Sequence, residues 1–144
     1  MIYYSNLYIL YKVYINDAEA YMKLLIAGSR GIKKYDLEGL VPKETEIIIT
    51  GGADGIDTLA EQYADKKHLS KLILRPRYDL YEKFAPLKRN EKMVEICDLA
   101  LIIWDGRSRG TRYTADYARK IGKRVVLITE TEPKQQVFPL FWQP

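Results

Sequence analysis

The stretch Lys23-Leu24-Leu25-Ile26-Ala27-Gly28-Ser29-Arg30-Gly31 decides the fold. A short, uniformly apolar run suits a parallel strand covered on both faces, whereas an alternating run suits a half-exposed one. The run ends in a glycine-rich turn. Working outward, Glu46-Ile47-Ile48-Ile49-Thr50 repeats the pattern and ends in Gly51-Gly52. Leu72 to Leu74, Leu99 to Trp104 and Arg124 to Ile128 read as three more strands.

Between the strands the period changes. Ile56, Leu59, Ala60, Tyr63 and Ala64 form one helical stripe, with apolar residues three and four apart. Further helices are expected over Pro86 to Cys97 and Arg112 to Ile121, the latter with Thr114, Tyr117, Ala118 and Ile121 inward and Gly122 as its stop. On the former, Leu87, Val94 and Cys97 make the stripe and the polar Asn90 falls in line with it. A buried amide needs partners, so Asn90 either ties down a loop or reaches a cleft with Arg89 beside it. Alternating strands and helices with right-handed crossovers predict an α/β fold, a single Rossmann-like doubly wound parallel sheet of about five strands. The expected order is 3-2-1-4-5, in a three-layer sandwich.

The chain has 144 residues, 47% of them hydrophobic, enough for one full core. Residues 22–130 form the expected domain. Ahead of it, residues 1–21 hold six of the twelve tyrosines. An added edge strand, a pairing surface and a start upstream of the natural Met22 all remain open for that segment. It is too short and polar to span a bilayer and lacks a basic leader region. Residues 131–144 form an apolar tail with Val137 to Trp142, and the aromatic ends make a homo-oligomer the expectation.

Twenty-three basic against nineteen acidic residues give a charge of +4, spread as scattered pairs such as Lys33-Lys34 and Lys66-Lys67. So mild a surplus suits an anionic small molecule at least as well as a nucleic acid. Cys97 and His68, the sole cysteine and histidine, leave no Cys/His set for zinc and exclude an internal disulfide. Cys97 is expected to be buried and His68 exposed; the cytoplasm is the expected compartment. No membrane partner, metal or cofactor is called for.

Three glycine turns carry the functional signal: Gly28-Ser29-Arg30-Gly31, Gly51-Gly52-Ala53-Asp54-Gly55 and Gly106-Arg107-Ser108-Arg109-Gly110-Thr111. In a parallel sheet they share one edge, at the crevice between the first and fourth strands. Glycine permits close backbone approach, and a helix expected after each loop would offer free N–H groups to a phosphate. Ser29, Ser108 and Thr111 add hydroxyls, and Arg30 adds a charged fork. Asp57, in a first helical turn, either compensates the helix dipole or accepts hydrogen bonds from a sugar hydroxyl or a base amino group. No loop has the Walker sequence or the dinucleotide-binding glycine fingerprint.

Ala27-Gly28-Ser29-Arg30, Thr50 to Asp57, Arg89 to Met93 and Trp104 to Thr111 occur in that order. Together they resemble the SLOG superfamily (named for Smf/DNA-processing protein A and Lonely Guy), in its YspA-like, cpYpsA-related branch, over Met22 to about Ile128. The resemblance implies a nucleotide or nucleotide-derived ligand at Gly28, Ser29, Arg30, Gly51, Gly52, Ala53, Asp54, Asp57, Arg89, Asn90, Asp105, Ser108, Gly110 and Thr111. Lonely Guy enzymes, which hydrolyse the N-glycosidic bond of cytokinin nucleotides, carry Arg-Lys-x-x-Met where this chain has Arg89-Asn90-Glu91-Lys92-Met93. Thr114 stands in place of their catalytic glutamate, and a threonine can neither stabilise an oxocarbenium-like centre nor activate water at neutral pH. A nucleotide N-glycosidase is therefore the rival reading, with Arg89 and Asp57 as its catalytic candidates. The turn before Gly55-Ile56-Asp57 is also similar to DNA-processing protein A, which makes single-stranded DNA binding a third possibility.

Overall fold

The computed structural model describes residues 21–130. The expectations for the N-terminal extension, Tyr21 apart, and for the apolar tail lie outside the described residues. Five strands, β1 (Met22–Gly28), β2 (Thr45–Thr50), β3 (Ser70–Ile73), β4 (Leu99–Trp104) and β5 (Arg124–Thr129), form one parallel sheet in the order β3-β2-β1-β4-β5. The fold is the expected Rossmann-like α/β sandwich. Its helices are α1 (Ile56–Lys66), the single turn α2 (Tyr78–Tyr81), α3 (Ala85–Ile96) and α4 (Arg109–Lys120), with a 3-10 turn over Glu82–Phe84.

Burial explains the order. Five of the six residues of β4 are buried, as are Leu24 to Ala27 of β1, because these strands lie at the centre with both faces covered. The β3 edge is exposed at Ser70, Lys71 and Leu72, as an edge strand tolerates. In β1, Leu24 and Ile26 point to one face and Leu25 and Ala27 to the other, following the two-residue strand period. The first face packs Ile56, Ala60 and Ala64 of α1; the second packs Met93, Val94 and Cys97 beside Ala115 and Ala118 of α4.

Two expectations need correction. No helix follows the first glycine turn: residues 29–44 are irregular. Gly31, Gly39 and Pro42 interrupt that segment, and glycine and proline are the poorest helix formers. Its apolar residues still fill the layer, with Leu37 buried and Ile32, Tyr35, Leu40 and Val41 packed around it. The last helix begins at Arg109, earlier than Arg112, because Ser108 caps it by accepting the Thr111 amide at 3.4 Å. Its inward face consequently runs Thr111, Thr114, Ala115 and Ala118, and Ile121, already at the C-cap, is 40% exposed. Cys97 is buried and His68 exposed, as the sequence suggests. Among the described residues no helix is long and apolar enough to cross a membrane.

Candidate functional site

The carboxyl ends of β1, β2 and β4 and the first turns of α3 and α4 enclose a cleft of about 400 Å³. This is within the range of small-molecule sites, and the switch point between β1 and β4 is where open α/β sheets place them. Ten of the expected residues line it: Gly28, Arg30, Ala53, Asp57, Arg89, Asn90, Asp105, Ser108, Gly110 and Thr111. Four do not. Ser29 and Gly51 are buried behind the wall, Gly52 lies against Ile73 and Arg75, and Asp54 is exposed away from the cleft. The structure adds Ala27, Gly31, Pro86, Leu87, Met93 and Thr114. Met93 follows Arg89 by one helical turn, a spacing that marks it as a neighbour on the same face.

Ser29 joins two of the three turns. Its Oγ accepts the Asp105 amide at 3.0 Å and lies 3.4 Å from Thr111 Oγ1, while its backbone amide donates to the Ile103 carbonyl at 3.0 Å. Thr111 Oγ1 in turn lies 3.0 Å from Ser108 Oγ. The three hydroxyls expected to face a phosphate therefore first satisfy one another and brace the cleft. Asp105 accepts the amides of Arg107 and Ser108, each at 2.8 Å, and so folds the β4–α4 loop. Burial would raise the Asp105 pKa, but those two amides together with Ser29 and the Arg107 charge outweigh it and hold the carboxyl below its ordinary range.

Beneath the β2 rim sit two buried charged residues, Arg89 and Asp57. Arg89, 8% exposed, donates from Nη1 to the carbonyls of Gly51 and Leu74, the latter at 3.1 Å, and from Nε to Asn90 Oδ1 at 2.8 Å. The inward residue on α3 is thus Arg89, with Asn90 turned to the cleft wall and holding its guanidinium. Adjacent helical positions differ by about 100° around the axis, so the stripe alone put the wrong neighbour deepest. Asp57, also buried, accepts the Ala53 amide at 3.1 Å. Burial raises its pKa; the Ala53 amide and the Arg89 charge pull the other way without cancelling it. Burial likewise lowers the Arg89 pKa, opposed by Asp57.

The glycines separate into two kinds. A Cβ at position 51 would lie 2.7 Å from Arg89 Nη1 and 2.8 Å from Asp57 Oδ2, and one at position 28 would lie 2.6 Å from Ile56 Cγ1. Those two make room for the protein itself, not for a guest as the turn pattern suggests. Gly110 differs: a Cβ there would meet nothing within 4 Å. The neighbouring amides of Arg109 and Gly110 donate to no group among the described residues, as expected for a helix start. Arg30 is exposed at the mouth, with no ion pair among the described residues.

Thr114 lines the cleft but donates its hydroxyl to the Gly110 carbonyl at 2.9 Å. Among the described residues no cluster of His, Cys, Asp and Glu is arranged to hold a metal ion. Compared with known protein families, with curated proteins and with solved structures, the chain matches none.

Proposed function

We propose that the cleft binds a phosphorylated nucleoside or a nucleotide-derived ligand. The observation that carries the reading is that one cleft holds both unused donors and a buried carboxylate acceptor. At the start of α4 the free Gly110 amide and the positive helix end, with the Arg30 guanidinium at the mouth, are the partners an anion needs. Asp57, at the start of α1, would repel a phosphate and instead accepts hydrogen bonds from sugar hydroxyls or a base amino group. Pro86, Leu87 and Met93 supply apolar wall, where a base can lose its water. The resemblance to SLOG proteins points the same way.

Calorimetry and thermal unfolding with nucleoside monophosphates, the parent nucleosides and inorganic phosphate test the reading. Ligand at one hundred times Kd should stabilise the fold by about 2.7 kcal/mol. Arg30→Ala should weaken a monophosphate about tenfold, a charged hydrogen bond's share, and leave the parent nucleoside unaffected. Absence of binding by every phosphorylated nucleoside would overturn the proposal.

Asp57 favours a second reading, a nucleotide N-glycosidase, because a buried carboxyl of raised pKa lines the cleft and can protonate a departing base. Release of free base from a monophosphate, abolished in Asp57→Asn, would establish it. Thr114, bound to its own helix, has no part in such a reaction.

A further inference from the structure

Beyond α3 lies a second concavity of about 460 Å³, lined by Arg75, Arg77, Tyr81, Lys88, Arg89 and Lys92 with Leu74 and Leu80. Arg89 belongs to both hollows: its guanidinium holds the carbonyl of Leu74, in this groove, and that of Gly51, two residues before Ala53 in the cleft. Between them runs Gly52, where a Cβ would press on Arg75 Nη1 at 2.9 Å. The Arg75 guanidinium, which lines the groove, thus packs directly on the backbone that leads into the cleft at Ala53. We propose that the groove is a second compartment of the cleft and takes the second phosphorylated nucleoside of a two-unit ligand. The inference rests on the proposed nucleotide reading of the cleft and extends it to a larger substrate class.

Charge and shape both select that chemistry. No carboxylate lines the groove. Arg77 is paired with Asp79 at 2.7 Å and Lys88 with Glu91 at 3.3 Å, but the side chains of Arg75 and Lys92 make no hydrogen bond or ion pair among the described residues. Two free cations thus face a hollow without a counter-ion, which suits an internucleotide phosphate. Tyr81 is 44% exposed on the groove wall, and Tyr78 and Phe84, three residues to either side in the chain, are 58% and 55% exposed. Rings interleaved with cations offer a base a face to stack on while its phosphate is neutralised. The scattered basic residues in the sequence suggest charge only; the short turn Tyr78–Tyr81 adds the aromatic surface beside them.

Calorimetry on the full chain with adenosine 5′-monophosphate, the 5′-phosphorylated diadenylate and a 5′-phosphorylated adenylate dodecamer tests the inference. The dinucleotide should bind at least about tenfold more tightly than the monophosphate, a typical gain for one stacked base. The double variant Tyr81→Ala, Lys92→Ala, whose side chains are at the surface, should erase that gain and leave the monophosphate affinity unchanged. Equal affinity for the dinucleotide and the dodecamer assigns the groove to a free two-unit ligand; a dodecamer more than tenfold tighter assigns it to a strand end. A dinucleotide no tighter than the monophosphate, or a gain that survives in the variant, overturns the second compartment and leaves the cleft reading standing. Failure of the monophosphate, dinucleotide and dodecamer alike, repeated with the guanosine, cytidine and uridine counterparts, overturns both.

Discussion

At the β2 rim of the cleft, Gly51 is backed by the Arg89 guanidinium and the Asp57 carboxylate, whereas at the β4 rim Gly110 faces open space with a free amide. Both glycines look alike in the sequence, each in a turn between a strand and a helix. The first exists because charged side chains press against the backbone from within. The second leaves room outside. A glycine turn therefore signals close approach, but the approaching group can be the protein's own, and only the packing behind the turn distinguishes the cases.

The comparison breaks most sharply at Arg89. Arg89→Ala would leave the buried carbonyls of Gly51 and Leu74 without this donor and remove a cation that acts on Asp57, and each buried acceptor left unpaired costs about 1–3 kcal/mol. Urea unfolding should register the loss; a change under 1 kcal/mol would mean that the guanidinium does not hold the rim. Next come paired substitutions at the two glycines. Gly51→Ala should destabilise by about 1–3 kcal/mol through overpacking. Gly110→Ala should stay within about 1 kcal/mol of the parent or gain slightly, since alanine is the better helix former. Its methyl group would nonetheless crowd a phosphate at the α4 start and weaken nucleotide binding. Equal penalties at both positions would dissolve the distinction between the rims.

A smaller effect sharpens the β2 side. Because burial raises the Asp57 pKa in the folded state, the fold binds that proton more tightly than the unfolded chain does. The carboxyl's contribution to stability is most favourable in acid and declines as pH rises from the ordinary carboxylate range through the raised value. Subtracting the pH profile of Asp57→Asn from that of the parent isolates this slope from carboxyls that titrate oppositely, such as Asp105. A flat difference would show that the Ala53 amide and Arg89 fully compensate the burial. The mildest effect concerns Cys97, whose thiol donates to the Val94 carbonyl at 3.2 Å and is pushed up to about 11 by burial. It should resist thiol reagents at pH 8 in the native state and react at once in urea; rapid native labelling would place it outside the core.

The sheet was legible because it rests on local pattern. Uniformly apolar runs such as Leu24–Ala27 and Leu99–Ile103 have only one comfortable place, the middle of a sheet covered on both faces. The first connection was not legible, because a covering layer needs apolar side chains but not a helix, and Leu37 with its neighbours fills the space from irregular backbone. The cleft was largely legible for a topological reason: three turns after parallel strands must emerge on one edge, and ten of the residues read from those turns, their flanks and α3 line it.

By itself, then, the sequence determined the strand order and the rim on which the turns gather, since hydrophobic period and chain connectivity are written one residue after another. Only the tertiary structure decided which polar groups are already committed. Ser29 meets Thr111 across 82 positions and Arg89 meets Gly51 across 38, and no local pattern encodes partners so distant. A hydrogen-bonding group shows its function only once its other bonds are known, and those are made by the fold.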